Sequence, residues 1–348
     1  MNWIKNKILS FVQKTKDKFR KDRPSKEDQE KSLWINCPGC NQMQLKEDLK
    51  KNFNICKCSY HFDLDPEIRF KNLLFDNGDY ELIECPSWSS PDPLKMEING
   101  KKYIDKYKGY QKKTGQQSAL LIAHGKVGGL KTVAIGYNFA FGGAAFSQRE
   151  NEHFLSAAQF AMENNVELFL SVYQSGGMSV YGNINSLKSM SVCQMVHTML
   201  KKKNIINIGI LGSKITGGTF VNVFANDFLF SESPKNSNQL FSGKRVSASV
   251  RSSDNTEMPS DFGEGAFLEK HGMIDGCFSS RLEVKTKIVA SLLGIFVLAV
   301  TLIFHTDLSN NMQMIAFLKN FSILGGLLII ISNKPQICSF DYYLENKK

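Results

Sequence analysis

The fold is decided by two similar stretches: residues 166–177 read VELFLSVYQSGG, and residues 205–218 read IINIGILGSKITGG. Each is an apolar run typical of a buried strand, followed directly by two glycines at the start of a predicted helix. Helices are predicted over 150–165 and 186–203. The repeated strand, glycine turn and helix predict an α/β fold with a largely parallel sheet, in which ligands collect where strands end and helices begin.

The two glycine turns offer a site for negative charge. Gly176 and Gly177 end the first stretch, and Gly217 and Gly218 end the second. Glycine lets a ligand approach the backbone, and the free N–H groups at a helix start can hold an oxyanion that develops on a carbonyl. From these residues alone, an ordinary strand-to-helix turn is the more frequent interpretation.

Four of the eight cysteines lie close together in the sequence, at Cys37, Cys40, Cys56 and Cys58. Their spacing predicts two knuckles that bring four thiolates around a tetrahedral zinc ion. Four protein ligands leave no open position, which indicates a structural metal. The second knuckle has one intervening residue where two are usual, so His61 is an alternative ligand, and a ribbon that has lost its metal is the other interpretation.

Composition narrows the class of protein without choosing a partner. The chain has 348 residues, 42% hydrophobic and 22% charged, with a formal net charge of +10. That charge favours an anionic partner, such as a phosphorylated cofactor, a membrane surface or nucleic acid. Nucleic acid ranks last, because no basic strand interleaved with aromatic residues is present.

Four segments are predicted along the chain. Residues 1–32 form a basic N-terminal helix and a charged linker, and the helix lacks the long apolar run of a signal peptide. Residues 33–62 form the zinc ribbon and residues 63–285 the α/β domain. Residues 286–348 carry two apolar runs, Ile288–Phe304 and Phe321–Ser332. These runs fit either a membrane hairpin or a pair of buried or interface helices.

An ordered set of motifs accompanies the cysteine cluster. The chain reads FAFGG at 139–143, SGG at 175–177, TGG at 216–218, SGKRV at 242–246 and FLEKHGMID at 267–275. In this order, the motifs resemble the carboxyltransferase beta subunit of bacterial and plastid acetyl-CoA carboxylase. The resemblance runs from about Trp34 to Ser291. It implies a crotonase-like (ClpP/crotonase) α/β domain behind an N-terminal zinc ribbon.

The resemblance also implies a reaction and its components. Carboxyl would pass from carboxybiotin, on a separate biotin carboxyl carrier protein, to acetyl-CoA, giving malonyl-CoA for fatty acid synthesis. A carboxyltransferase alpha subunit would complete a heterotetramer-like assembly in the bacterial cytoplasm or the plastid stroma. The implied catalytic residues are Gly217 and Gly218, and the implied substrate-binding residues are Gly142, Gly143, Gly176, Gly177, Lys244 and Arg245.

The chain departs from the family at four places. Residues 178–182 read MSVYG where the family has Ala-Arg-Met-Gln-Glu, and residues 144–150 read AAFSQRE where it has small residues. Phe220 stands where the family has a small side chain and would occupy CoA space. The apolar C-terminal tail is also not expected. These departures leave two hypotheses: an active, divergent carboxyltransferase, or a catalytically degenerate crotonase-type scaffold that serves assembly at a membrane.

Overall fold

The computed structural model describes residues 32–98, 100–182, 184–252, 258–307 and 309–332. The chain forms two compact units, with the division between Cys58 and Ser59. The predicted basic helix and most of the linker, residues 1–31, lie outside the described residues. In the first unit, β1 (Trp34–Asn36) pairs antiparallel with β2 (Met43–Leu45), and α1 (Lys46–Lys51) follows.

The second unit is built on one mixed sheet, in which β7 to β10 and β12 run parallel. The strand order is β12-β10-β9-β8-β7-β6-β3, and β11 pairs with the far half of β9. A small hairpin of β4 and β5 stands apart. The predicted α/β fold with a largely parallel sheet is confirmed. The strands are β3 (Tyr80–Leu82), β4 (Glu97–Ile98), β5 (Lys101–Lys102), β6 (Leu120–Val127), β7 (Leu130–Tyr137), β8 (Leu168–Ser175), β9 (Ile206–Thr216), β10 (Phe228–Ser231), β11 (Asn238–Leu240) and β12 (Gly276–Cys277).

Helices connect these strands and cover both faces of the sheet. The helix that follows β7 starts with a capping box, in which the Ser147 and Glu150 side chains satisfy each other's backbone N–H groups. The helices are α2 (Pro66–Arg69, continued by a π-helical turn over Phe70–Leu74), α3 (Tyr103–Thr114), α4 (Gln148–Glu163), α5 (Ile184–Lys202), α6 (Gly218–Asn222), α7 (Lys244–Ser252), α8 (Gly265–Lys270), α9 (Arg281–Phe304) and α10 (Asn311–Ser332).

The sheet separates two hydrophobic cores, as the alternation along β8 shows. Phe169 and Tyr173 point into the core on the α4 and α5 side. Leu168 and Leu170 point into the opposite core, together with Ile288 of α9. The first turns of α9 therefore belong to the α/β unit. The helix starts at Arg281 and runs without a break through the domain boundary that the sequence predicts at 285/286.

A buried ionic cluster ties three elements of the second unit together. The Glu232 carboxylate, directly after β10, accepts two hydrogen bonds from the Arg69 guanidinium of α2 at 2.6 and 2.7 Å. It also accepts one from Arg281 of α9 at 3.0 Å. Arg281 donates in addition to the Phe62 carbonyl at 2.7 Å. The Glu232 side chain is fully buried, so its charge depends on these two arginines.

Candidate active site and metal centre

Three glycine turns meet at one edge of the sheet. Gly142 and Gly143 follow β7, the Gly176–Gly177 turn follows β8, and the Gly217–Gly218 turn follows β9. Because these strands are parallel neighbours, their carboxyl ends lie side by side. The Gly176 N–H donates to the Gly143 carbonyl at 2.8 Å. The structure therefore brings together the six glycines to which the resemblance assigns catalytic and substrate-binding roles.

The second and third turns touch through their backbones, and this contact requires glycine. A Cβ atom on Gly217 would lie 3.3 Å from the Gly177 Cα, and one on Gly177 would lie 3.1 Å from the Thr216 carbonyl oxygen. Gly217 has φ of 64° and ψ of −148°, and Gly177 has φ of 111°. Side chains other than hydrogen are strained in such conformations. The close approach thus explains both glycines without reference to a ligand.

Two buried hydroxyl groups connect the turns, and no sequence motif indicates them. The Ser175 hydroxyl donates to the Ala144 carbonyl at 2.6 Å and accepts from the Gly177 N–H at 3.0 Å. It also lies 3.2 Å from the hydroxyl of Thr219. Ser175 and Thr219 are both fully buried. One hydroxyl pair therefore fixes the segments after β7, β8 and β9 relative to one another.

The two catalytic candidates differ in what their N–H groups do. The Gly217 N–H already donates to the Phe241 carbonyl at 2.9 Å. The Gly218 N–H, at the start of α6, has no acceptor among the residues that the structure describes. Only Gly218 of the pair can therefore offer its N–H to a substrate oxygen.

Methionine side chains lie against Gly218. Measured from the position that a Cβ atom on Gly218 would take, the Met190 Sδ is 2.6 Å away and the Met178 Cγ is 2.7 Å away. Phe220, which the sequence places in CoA space, is buried in the core and packs edge-on against Phe224. Flexible thioether chains therefore fill the space beside Gly218, whereas Phe220 belongs to the core.

Two further segments that the family resemblance singles out are residues 178–182 and the start of α7. Tyr181 stacks on Tyr103 with 3.7 Å between ring centroids, so it lies against α3. Lys244 and Arg245 are the first two residues of α7, and their side chains lie outside the described residues. Their segment follows Phe241, the carbonyl of which holds the Gly217 N–H. The backbone therefore links the start of α7 to the third glycine turn.

The four predicted zinc ligands of the first unit form one cluster. Their sulfur atoms all lie within 4.8 Å of one another, with Cys37 and Cys58 3.6 Å apart and Cys40 and Cys56 3.9 Å apart. Tetrahedral zinc with Zn–S bonds of about 2.3 Å needs sulfur atoms about 3.8 Å apart. The donors and their spacing therefore fit zinc, in spite of the short second knuckle.

His61, the alternative ligand, belongs to the second unit. Its ring is completely buried, and the cost of charging it there lowers its pKa to about 4, although Glu232 acts in the opposite direction. The sulfur cluster is complete with Cys58 in it and does not include His61.

Comparison with known proteins places the chain in a family. No protein-family model matches it. It is 31% identical over 296 residues to the acetyl-coenzyme A carboxylase carboxyl transferase subunit beta of Pelagibacter ubique, covering 85% of this chain and 91% of that one. The same-named proteins of Hirschia baltica and Beijerinckia indica are 30% and 31% identical, with 72% and 79% of this chain and 70% and 90% of theirs covered.

Solved structures support the fold. Two crystal structures of transcarboxylase 12S match with TM-scores of 0.51 and 0.50 at 17% identity, over 72% and 67% of this chain. This chain spans only 43% and 41% of the length of the 12S chain. The structural similarity confirms the crotonase-like fold. The sequence identity to the three relatives shows the family. The chain belongs to the family of acetyl-coenzyme A carboxylase carboxyl transferase beta subunits.

Proposed function

We propose that this chain transfers a carboxyl group from carboxybiotin, on a separate carrier protein, to acetyl-CoA, giving malonyl-CoA. The observation that carries the proposal is the meeting of three glycine turns at the carboxyl edge of the sheet, in a chain of this family. The six glycines named above are the proposed site residues. Lys244 and Arg245 are proposed to contribute positive charge for the CoA phosphates.

The chain's own part in the reaction is to hold the thioester and to stabilise negative charge. When the Cα–H bond of the acetyl group breaks, charge moves to the thioester oxygen, and a new C–C bond then forms to the carboxyl carbon. The Gly218 N–H is the proposed donor to that oxygen. Gly176 and Gly177 have their N–H groups engaged within the turns, so they contribute space for the thioester. When bound, carboxybiotin would supply the carboxyl carbon by breaking the bond between that carbon and its ureido nitrogen, and the freed nitrogen would take the proton.

The same proposal includes partners and a compartment. A carboxyltransferase alpha subunit would bring the biotin side, because this chain has a single crotonase-type unit, and a biotin carboxyl carrier protein would deliver the carboxyl group. The relatives are named as beta subunits, which supports assembly with another subunit. The bacterial cytoplasm or the plastid stroma is the proposed compartment.

A second candidate function, a degenerate scaffold, is favoured by one observation. Met178 and Met190 lie against the Cβ position of Gly218, and Met178 stands where the family has alanine. If these side chains block the site permanently, the chain would serve assembly only.

Binding of acetyl-CoA separates the two functions. We expect the chain, purified with its alpha subunit, to bind acetyl-CoA in calorimetry with a dissociation constant between about 1 μM and 1 mM. Met178→Ala should bind at least as tightly, because it removes a flexible obstacle. Binding by Met178→Ala alone would mean that the natural chain is blocked, and binding by neither protein would also favour the scaffold.

We further propose that the four cysteines of the first unit hold a structural zinc ion. Cys37 and Cys40 lie on the turn after β1, where the Cys37 N–H donates to the Gln42 carbonyl at 2.9 Å. A backbone hydrogen bond from Gln42 is the main cause that lowers the pKa of the Cys40 thiol, which favours the thiolate that zinc requires. Zinc would fix the fold of this small unit and take no part in the chemistry.

Replacement of one ligand should remove the metal. We expect about one zinc per chain by elemental analysis of the dialysed protein, and well under half of that in Cys56→Ser. Cys193→Ser, at a buried cysteine of α5, is the matched control and should keep its zinc. Zinc content that is equal in Cys56→Ser and wild type would contradict the proposed site.

A further inference from the structure

Two long apolar helices follow the sheet and its glycine turns. We call the part of the second unit that precedes these helices the catalytic unit. α9 has 24 residues and α10 has 22. At 1.5 Å per residue they are about 36 and 33 Å long, and the hydrocarbon core of a bilayer is about 30 Å thick. By length and composition, both can cross a membrane. Length alone does not decide, because the core helix of a soluble protein and a signal sequence meet the same criteria.

The exposure of the two helices excludes a core helix, and their position in the chain excludes a signal sequence. Only 6% of the apolar window of α10 is buried, and 33% of that of α9, so neither is a core helix over its apolar part. Phe296 and Ile329 are each about 60% exposed, at 62% and 59%. The helices begin 280 residues after the start of this chain, far from the place of a signal sequence.

The helices pack on each other, and three of their hydroxyl groups are hydrogen-bonded within their own helix. Gly294 of α9 faces Leu324 of α10, and Thr301 and Leu327 are buried between the helices. The Thr301 hydroxyl donates to the Val297 carbonyl one turn earlier at 2.6 Å, and those of Ser291 and Ser322 likewise donate one turn back. Lipid offers no hydrogen bonds, so hydroxyl groups bonded within their own helix suit a lipid environment.

The exposed parts of the two helices lead away from the sheet and back toward it. Val284, Ile288 and Leu292 pack in the core under the sheet, so α9 becomes free after Leu292. Residues 293–304 then add about 18 Å of helix, which is less than the hydrocarbon thickness, so the bilayer must thin locally around the hairpin for its polar connection to reach the far interface. α10 returns from there.

The charges give the pair a direction. Arg281, Lys285 and Lys287 precede the apolar part of α9, and the sequence continues beyond α10 with Lys334. The connection 305–310 contains no lysine or arginine. Positive charge remains on the cytoplasmic side of a membrane, and here it marks the side of the catalytic unit. Lys319, the one charged residue within α10, has a long chain that can extend toward the interface.

We propose that α9 and α10 form a membrane hairpin that holds the catalytic unit at a lipid bilayer, with both ends of the hairpin on the catalytic side. In this proposal, the exposed apolar side chains of α9 and α10 contact lipid. The proposal does not depend on whether the glycine turns are catalytic.

Vesicle flotation tests the hairpin. The full chain, purified in detergent and reconstituted with phosphatidylcholine vesicles, should float with them and resist an alkaline carbonate wash. The double variant Phe296→Lys and Ile329→Lys should float at least ~10-fold less, because a charged side chain within the hydrocarbon of a bilayer is strongly unfavourable. Both positions are exposed in the chain alone, so the catalytic unit should fold as before, which circular dichroism would check.

Leu94→Lys is the matched control, because Leu94 is an exposed leucine of the catalytic unit. It should float as wild type does. Flotation of the double variant at the wild-type level would overturn the proposal. So would a wild-type chain that remains in solution as an oligomer and that the double variant converts to a smaller species, because the apolar surface would then bind protein. Carboxyl transfer is measured on the same samples. A chain that floats but is inactive would contradict only the proposed activity, and an active chain that does not float would contradict only the hairpin.

Discussion

Gly217→Val should lower carboxyl transfer by at least ~100-fold, the loss typical of removing an oxyanion donor. Valine is strained at the φ of 64° and ψ of −148° that Gly217 adopts. Its Cβ would also meet the Gly177 Cα at 3.3 Å, so the two turns must separate. This movement displaces the Gly218 N–H from its position, although Gly217 itself donates to no substrate. The measurement is malonyl-CoA formation by the chain assembled with its alpha subunit.

Gly272→Val is the control that separates strain from loss of the site. Gly272 also has a positive φ, 67°, but no heavy atom lies within 4 Å of its Cβ position, and it follows α8 away from the turns. It should lose a similar amount of stability and keep its activity. If Gly217→Val retained more than half of the wild-type rate, or if both variants lost activity equally, the assignment of the glycine turns would be wrong.

Glu232→Gln should lower the free energy of unfolding by about 3–5 kcal/mol. The change leaves the charges of Arg69 and Arg281 buried without their carboxylate. Urea unfolding of the detergent-solubilised chain, followed by tryptophan fluorescence, would measure the loss. Glu269→Gln, on the exposed side of α8, is the matched control and should stay within about 0.5 kcal/mol of wild type.

The stabilising effect of Glu232 should also depend on pH in one direction. Burial by itself raises the pKa of this carboxyl, but Arg69 and Arg281 outweigh it and hold the pKa well below its usual range. The ordinary pKa of glutamate, about 4.3, applies to the unfolded chain. The contribution is therefore complete above about pH 5 and is lost as the pH falls below that value. The difference between wild type and Glu232→Gln should shrink in acid, and a constant difference down to pH 3 would contradict the ionic account.

Local signals explain what the sequence predicts well. The cysteine spacing requires only a short turn at each knuckle, and a glycine pair after an apolar strand is visible within a dozen residues. The order of these motifs along the chain predicts the family, and the relatives confirm that family. The site residues and the domain bounds stay predictions.

Tertiary contacts explain what the sequence could not predict. The Ser175–Thr219 hydroxyl pair joins residues 44 positions apart, and neither residue stands out in its own segment. The engagement of the Gly217 N–H by Phe241 depends on where a later segment returns to the sheet. The apolar pattern of α9 shows a long helix, but only packing shows that its first turns serve the sheet and its later turns are exposed.

Formation of malonyl-CoA tests the central claim most directly. The chain, its alpha subunit and a carboxylated biotin carrier are mixed with acetyl-CoA, and malonyl-CoA is measured against the Pelagibacter ubique beta subunit in the same assay. The account predicts turnover that requires acetyl-CoA and this chain, at about 1–1000 per second, and its loss in Gly217→Val. No malonyl-CoA from the folded, assembled chain, with the reference subunit active, would contradict it.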